Sequence, residues 1–425
     1  MNSSKNTPSG KRKLWDPPWK YRESFFIAIE LLVLGFAFEA LTGGKGISPV
    51  SFPANLIMGI VIIAVIIIVY ALYRKTPLIR WMGSVPAAIG SISLLTLLVL
   101  FLGFLKQNNP EAPVFLRLTG LNHVKTSWPF LFAQVYFLAT LAMVTIRRAV
   151  PFKWKSAGFL LNHAGLWITI FAAGLGAGDL QRLTVNLHEQ KDFKNLAFDS
   201  RQRVYHLPFS MKLVDFDVDY YPPKLALFDA RTGTIKHEKG KNLEMVEEGL
   251  TMHLSNWTIN VDTFIESAKP HPGKAYIHGD TIGATPAAYV TAKNKRDSLK
   301  QGWISAGSFR YRPKYLILDE SDILALTEPE PKKYSSKVEV RHNANIENHT
   351  IEVNKPHKVM GWKIYQMGYD TRMGKWSELS VLEVVKDPWL PVVYIGFFML
   401  IAGAIYLFWI GRDVKEKKEE ENVSN

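Results

Sequence analysis

The 425-residue chain contains no cysteine. It therefore has no disulfide framework, no thiol nucleophile, no Cys-x-x-Cys redox pair and no thioether-bound cofactor of its own. A Walker loop and a Gly-rich dinucleotide turn are also missing, so ATP- or NAD-driven chemistry has no support. Acidic residues are in deficit: 38 Asp and Glu face 51 Lys and Arg, a net charge of +13. The excess is not a nucleic-acid signature, because much of it flanks apolar runs, where membrane topology accounts for it.

Six apolar segments, near residues 24–42, 55–73, 85–105, 128–146, 157–177 and 388–410, are the dominant feature. Each is long enough to cross a hydrocarbon core about 30 Å thick. Between the fifth and sixth lies a polar stretch of roughly two hundred residues, enough for a core of its own. Lys and Arg cluster in the N-terminal tail, at Arg74, Lys75 and Arg80, at Arg147, Arg148, Lys153 and Lys155, and after Trp409. The positive-inside rule places all four clusters in the cytoplasm and the polar stretch outside. The basic N-terminus leads into a long span without a small-residue cleavage site, as an uncleaved anchor does. Trp81, Trp128, Trp154, Trp389 and Trp409 fall near span ends, where aromatic belts form.

The predicted organisation is a cytoplasmic basic tail (1–23), two transmembrane helices (24–73), three more with their loops (74–177), a β-rich extracytoplasmic domain (178–387), a sixth transmembrane helix (388–410) and a charged cytoplasmic tail (411–425). The mixed run Glu416–Glu421 is expected to be disordered. In the exported stretch, period-two alternation of β-branched and aromatic residues at Trp257, Ile259, Val261 and Ile265, at Val338 and Val340, and at Ile351 and Val353 predicts half-buried strands. The apolar face slips between Leu213 and Val214, which predicts a bulge or a bend. Pro and Gly punctuate the stretch often enough to favour short strands in a sandwich or barrel-like domain.

His163 lies inside the fifth apolar segment. An ionisable ring in hydrocarbon needs a partner, which makes it a candidate functional residue. At about 1.5 Å per residue it sits roughly 10 Å in from the cytoplasmic interface. Phe159 and Trp167, at i−4 and i+4, share its helix face. The bland alternative is an interhelical hydrogen bond to Ser, Thr, Asn162 or a backbone carbonyl. Glu30 is expected to pair within the bundle or with a partner subunit, and Glu39 to be hydrated at the outer interface. Gly174 and Gly178 form a small-xxx-small pair that lets a helix approach. The exported histidines, His349 and His357 among them, lack zinc-hydrolase spacing and are expected to be spread over surface and turns, and Asp215, Asp217 and Asp219 to form a solvated face. His123 lies in the outer loop before the fourth span.

Four ordered stretches resemble one family. They are Gly120-Leu-Asn-His-Val-Lys-Thr-Ser-Trp-Pro-Phe130, Asn162-His163-Ala-Gly-Leu, Leu207-Pro-Phe-Ser-Met-Lys-Leu213 with Tyr220-Tyr-Pro222, and Asn354-Lys-Pro-His-Lys-Val-Met-Gly361 running on to Asp370. Together they are similar to the motif series of the ResB (CcsB) family of system II cytochrome c biogenesis, over roughly residues 85–410. The resemblance implies haem delivery across the bacterial cytoplasmic membrane and attachment to apocytochrome c, shared with a CcsA/ResC-type partner and with a ResA-like thiol reductant as a further partner. It makes His163 the candidate axial ligand of a transient haem b, with Phe159 and Trp167 as packing candidates and haem iron as the only metal. The spans over 24–73 are additional to the family plan, and His357 stands where an apolar residue is expected.

Three readings compete. In the first the chain is a haem-handling synthase subunit, whose catalysis is shared with or carried by the partner. In the second it is a cofactor-free membrane scaffold or sensor with an exported β-domain. The third, a b-type oxidoreductase, is weakened by the single membrane histidine.

Overall fold

The computed structural model describes residues 15–236, 243–273, 275–295 and 297–423, with side chains through residue 409. The chain divides into two compact units, Met1–Leu180 with Asp387–Asn425, and Gln181–Lys386.

The first unit is helical: α1 (Tyr21–Leu41), α2 (Ala54–Tyr73), the short α3 (Pro77–Met82), α4 (Val85–Phe104), the short α5 (Val114–Leu118), α6 (Trp128–Ala149), α7 (Ala157–Gly176) and α8 (Leu390–Val423). Six helices, all but α3 and α5, are long and apolar enough to cross a membrane, and the chain is a multi-span membrane protein. Prolines in the first turns of α3, α4 and α6 start helices where their missing N–H has no partner to lose. α8 continues to Val423, so Glu416–Glu421 is helical and not the disordered run expected; Glu and Lys are good helix formers and simply extend the span.

Burial in this unit is inverted relative to a water-soluble bundle. Ile57, Ile60, Val61 and Ile68 of α2 face outward, whereas Asn55 and Gly59 are buried. Ser91 of α4 and Thr140 of α6 meet hydroxyl to hydroxyl at 3.0 Å inside the bundle. Interhelical polar contacts supply the adhesion that lipid cannot. Trp81 is a correction to the expected aromatic belt: it is buried, packs edge-on against Trp19, stacks with Tyr136 and donates its indole N–H to Ser24 Oγ at 2.9 Å. It belongs to α3, which packs on α6 and so draws it inward.

The second unit is β throughout. Its strands are β1 (Gln181–His188), β2 (Lys194–Phe198), β3 (Val204–Tyr220), β4 (Leu225–Asp229), β5 (Thr251–Leu254), β6 (Trp257–His271), β7 (Ala275–His278), β8 (Thr285–Asn294), β9 (Leu299–Ser305), β10 (Leu316–Ile317), β11 (Asp322–Leu326), β12 (Pro331–His342), β13 (Asn345–Glu352), β14 (His357–Val359), β15 (Trp362–Tyr369) and β16 (Leu379–Lys386). Eight form one antiparallel sheet in the order β13-β12-β3-β2-β1-β16-β15-β14. Its apolar face, including Leu187, Met211, Leu213, Ile351, Ile364 and Leu382, makes one core. The sheet curls until its edges meet, because His349 of β13 stacks on His357 of β14 at 3.5 Å. Ser336 of β12 likewise reaches Gln366 of β15 at 2.7 Å and Ser380 of β16 at 2.6 Å across the interior. A second core lies under β4–β6, β8, β9 and β11, around Ile259, Ile304 and Leu324.

Of the bulge and the bend expected there, the bulge is present. Lys337 pairs with Asp215 and Val338 with Leu213, so Val214 is skipped and points out to solvent. Trp257, Ile259 and Val261 are buried as the alternation required, and a register shift after Val261 moves Ile265 out of phase.

Candidate functional site

Position in the fold begins with glycine. A Cβ on Gly165 of α7 would lie 2.5 Å from the Gly396 carbonyl oxygen of α8, and one on Gly403 would press on Asn162 N and the Gly158 carbonyl. Gly158 and Gly165 thus oppose Gly403 and Gly396, and α7 and α8 run in backbone contact. Asn162 Nδ2 donates to the Leu400 carbonyl across the same seam at 3.4 Å. The seven-residue spacing of these glycines is visible in the sequence, yet the pair singled out there was Gly174 and Gly178. Gly174 does meet α6, through Gln134, but Gly178 lies past the helix end against the Val50 backbone.

One turn from the seam, His163 is half-buried. Its Nδ1 lies 3.0 Å from the Phe159 carbonyl oxygen, one turn back in the same helix. A carbonyl only accepts, so Nδ1 carries the proton and the neutral ring keeps its lone pair on Nε2. Nε2 has no partner among the described residues. The interhelical bond weighed as the bland role of His163 is made by Asn162 instead. The Phe159 ring stacks on the imidazole at 3.7 Å, and the Arg148 guanidinium lies 5.8 Å from the Phe159 centroid. Trp167 is engaged elsewhere: its indole donates to the Leu138 carbonyl of α6 at 3.1 Å and stacks on Phe171. Of the three sequence candidates, His163 and Phe159 come together, while Trp167 fixes α7 to α6.

Three further polar groups were unread or misread. Asp179 Oδ1 accepts from Phe52 N at 2.7 Å, and Oδ2 accepts from Asn55 Nδ2 at 2.7 Å and Trp389 Nε1 at 2.6 Å. One carboxylate so ties the start of α2, the end of α7 and the approach to α8. Burial pushes its carboxyl up, but the donors from Phe52, Asn55 and Trp389 outweigh it and hold the group below the usual carboxylate range. Glu39 is not hydrated, as expected of it, but fully buried. Oε1 accepts from Gly46 N at 2.8 Å and His123 Nε2 at 3.0 Å, and Oε2 from Trp128 N at 3.0 Å. The loop over Gly44–Gly46 folds across the helix end and shuts water out. Glu30, expected to pair within the bundle or with a partner subunit, faces outward with no partner among the described residues, so of the two the pairing within the bundle is not made.

In the β unit, the expectation that histidines are spread apart fails for one pair. His357, the residue out of keeping with the resembled motif, is matched by His349 across the sheet edges, and His349 Nε2 bonds Glu347 at 3.1 Å. Burial first, then the neighbouring His349, holds His357 below the ordinary imidazole range. Asp215 pairs with Lys337 at 2.7 Å on the solvated face predicted for it. Among the described residues no group of three or more His, Asp or Glu could hold a metal ion. A cleft of about 710 Å³ is lined by acidic Asp217, Asp219, Glu266, Asp280 and Glu328, by basic Lys332, Arg372 and Lys375, and by Tyr220 and Trp376.

The sequence profile of the ResB-like family matches residues 153–261 and 289–378. The match takes in α7 with His163 and most of the β unit; α1 to α6 and α8 lie outside it. No curated protein matches the chain. With the helix–β-unit–helix plan and the matched residues agreeing, the chain belongs to the ResB-like family.

Proposed function

We propose that the chain is the ResB-like subunit of a system II cytochrome c synthase, and that His163 offers Nε2 to the iron of haem as cargo in transit. Family membership supports a general role in cytochrome c biogenesis. The observation that carries the finer reading is the division of labour on one imidazole. Nδ1 is tied to the Phe159 carbonyl and Nε2 is left with its lone pair and no partner among the described residues. Metal-binding histidines are oriented in this way, the second nitrogen donating to a carbonyl that fixes tautomer and ring. Neutral imidazole is a good haem-iron ligand.

The chain's own residues do the positioning. Phe159 covers one face of the ring, the glycine seam holds α7 against α8, and Trp167 holds α7 against α6. The six spans carry no second histidine, so in this reading a CcsA/ResC-type partner supplies the second axial ligand. In this reading, which the basic clusters support through the positive-inside rule, both termini are in the bacterial cytoplasm and the β unit is outside. There its cleft, lined by aromatic rings and by charges of both signs, suits a segment of a protein client such as apocytochrome c.

The test is an absorption spectrum of the protein purified with its multi-span partner. His163→Ala is expected to lose the b-type haem signal, and His163→Gly to regain it with added imidazole. Unchanged haem content in His163→Ala would overturn the ligand role and leave the chain a scaffold.

A further inference from the structure

A second concave site lies in the helical unit, away from His163. A cavity of about 440 Å³ opens where α2 and α6 finish, bounded by Arg74 and Lys75 after α2, Arg80 of α3 and Arg147 in the last turn of α6. Ile79 and Met143 form its buried floor and Tyr70 its wall. Among the described residues none that is acidic lines it. None of the four cations makes an ion pair with a carboxylate among the described residues. Residues 1–14, which precede the described chain, contain no Asp or Glu either.

Topology explains why basic residues collect at this end of the bundle, but not why four converge on one cavity without a counter-charge. Like charges so placed repel unless an anion sits among them, and guanidinium groups match phosphate in a bidentate fork. The cavity also lies where two membrane spans end, the depth of lipid headgroups. The outward face of α2, with Ile57, Ile60, Val61, Ile68 and Leu72 exposed, leads along the apolar layer towards it. A ligand with a phosphate head and an apolar tail would satisfy the cations, the Ile79–Met143 floor and that face together.

We infer that this cavity binds the phosphodiester headgroup of an anionic phospholipid, with Arg74, Arg80 and Arg147 on the phosphate and Lys75 at its rim. Each basic residue facing an anionic headgroup is worth about fivefold in affinity, so removing three arginines should weaken retention about a hundredfold.

The test uses the full chain in detergent and in nanodiscs of phosphatidylcholine with or without phosphatidylglycerol, with bound lipid counted by native mass spectrometry. Wild type is expected to retain phosphatidylglycerol over phosphatidylcholine. The triple variant Arg74→Gln/Arg80→Gln/Arg147→Gln should lose that retention and still fold, since all three side chains are exposed. Lys153→Gln/Lys155→Gln removes charge outside the cavity and should leave it intact. Equal retention by the triple variant, or equal loss in the lysine control, overturns the site. A separate arm titrates inorganic phosphate: if phosphate alone raises the melting temperature of wild type but not of the triple variant, and lipid adds nothing, the source is free phosphate and the lipid assignment fails.

Discussion

Glu39→Ala is the sharpest perturbation the helical unit offers. The carboxylate is fully buried and accepts three hydrogen bonds, from Gly46 N, His123 Nε2 and Trp128 N. A hydrogen bond to a charged group contributes about 1.5–3 kcal/mol, and a buried donor left unpaired loses its solvation as well. The surroundings of the three donors are only part-buried, so water recovers some of that loss, and we expect a net destabilisation of about 3–6 kcal/mol. Glu39→Gln keeps the shape but presents an N–H₂ where an acceptor is needed, for about 1–2 kcal/mol. The assay is denaturant unfolding of the full chain in micelles followed by tryptophan fluorescence, with a double-mutant cycle against His123→Ala. A coupling near 1 kcal/mol is expected between the two positions. A change within about 0.5 kcal/mol for Glu39→Ala, the usual size for an exposed side chain, would refute the reasoning.

Gly165→Ala should destabilise by about 1–3 kcal/mol through overpacking of the α7–α8 seam; Gly103→Ala, with nothing near its Cβ, should be neutral in the same melting measurement. His357 is held below its unfolded value of 6.5 by burial and by His349, with Glu347 opposing, so the unfolded chain takes up the proton first. Stability is then fully present above pH 6.5 and falls as pH drops through the window below it. Hydrogen exchange at the β13 and β14 amides should quicken over that window in wild type and stay flat in His357→Phe, which keeps a stacked ring without the charge; an equal slope in both would exclude His357 as the cause.

How much of this could be read beforehand depends on the range of the interactions. The six spans, the β-rich insertion and the bulge at Val214 are local patterns of hydropathy and alternation, and each appears where residue spacing put it. His163 and Phe159 are one helical turn apart, so their meeting was a local inference too. Partners distant in sequence were missed. Glu39 meets His123 and Trp128, Asp179 meets Asn55 and Trp389, and His349 meets His357 only after loops and sheet edges close. Trp81 shows the same limit, since position near a span end says nothing about which way a ring turns.

The β unit also begins and finishes on neighbouring strands. Gln181 pairs directly with Lys386, and the β1–β16 ladder continues through Leu187 with Ser380. The first and last residues of the unit are therefore joined by a hydrogen-bonded ladder, with no edge exposed between them. Such a module can be excised at two adjacent peptide bonds, or have its ends linked by a short Gly-Ser bridge and be reopened at a surface turn, without breaking a strand. For an insert between two membrane helices, this makes the β unit a module that can be produced apart from the helices that flank it.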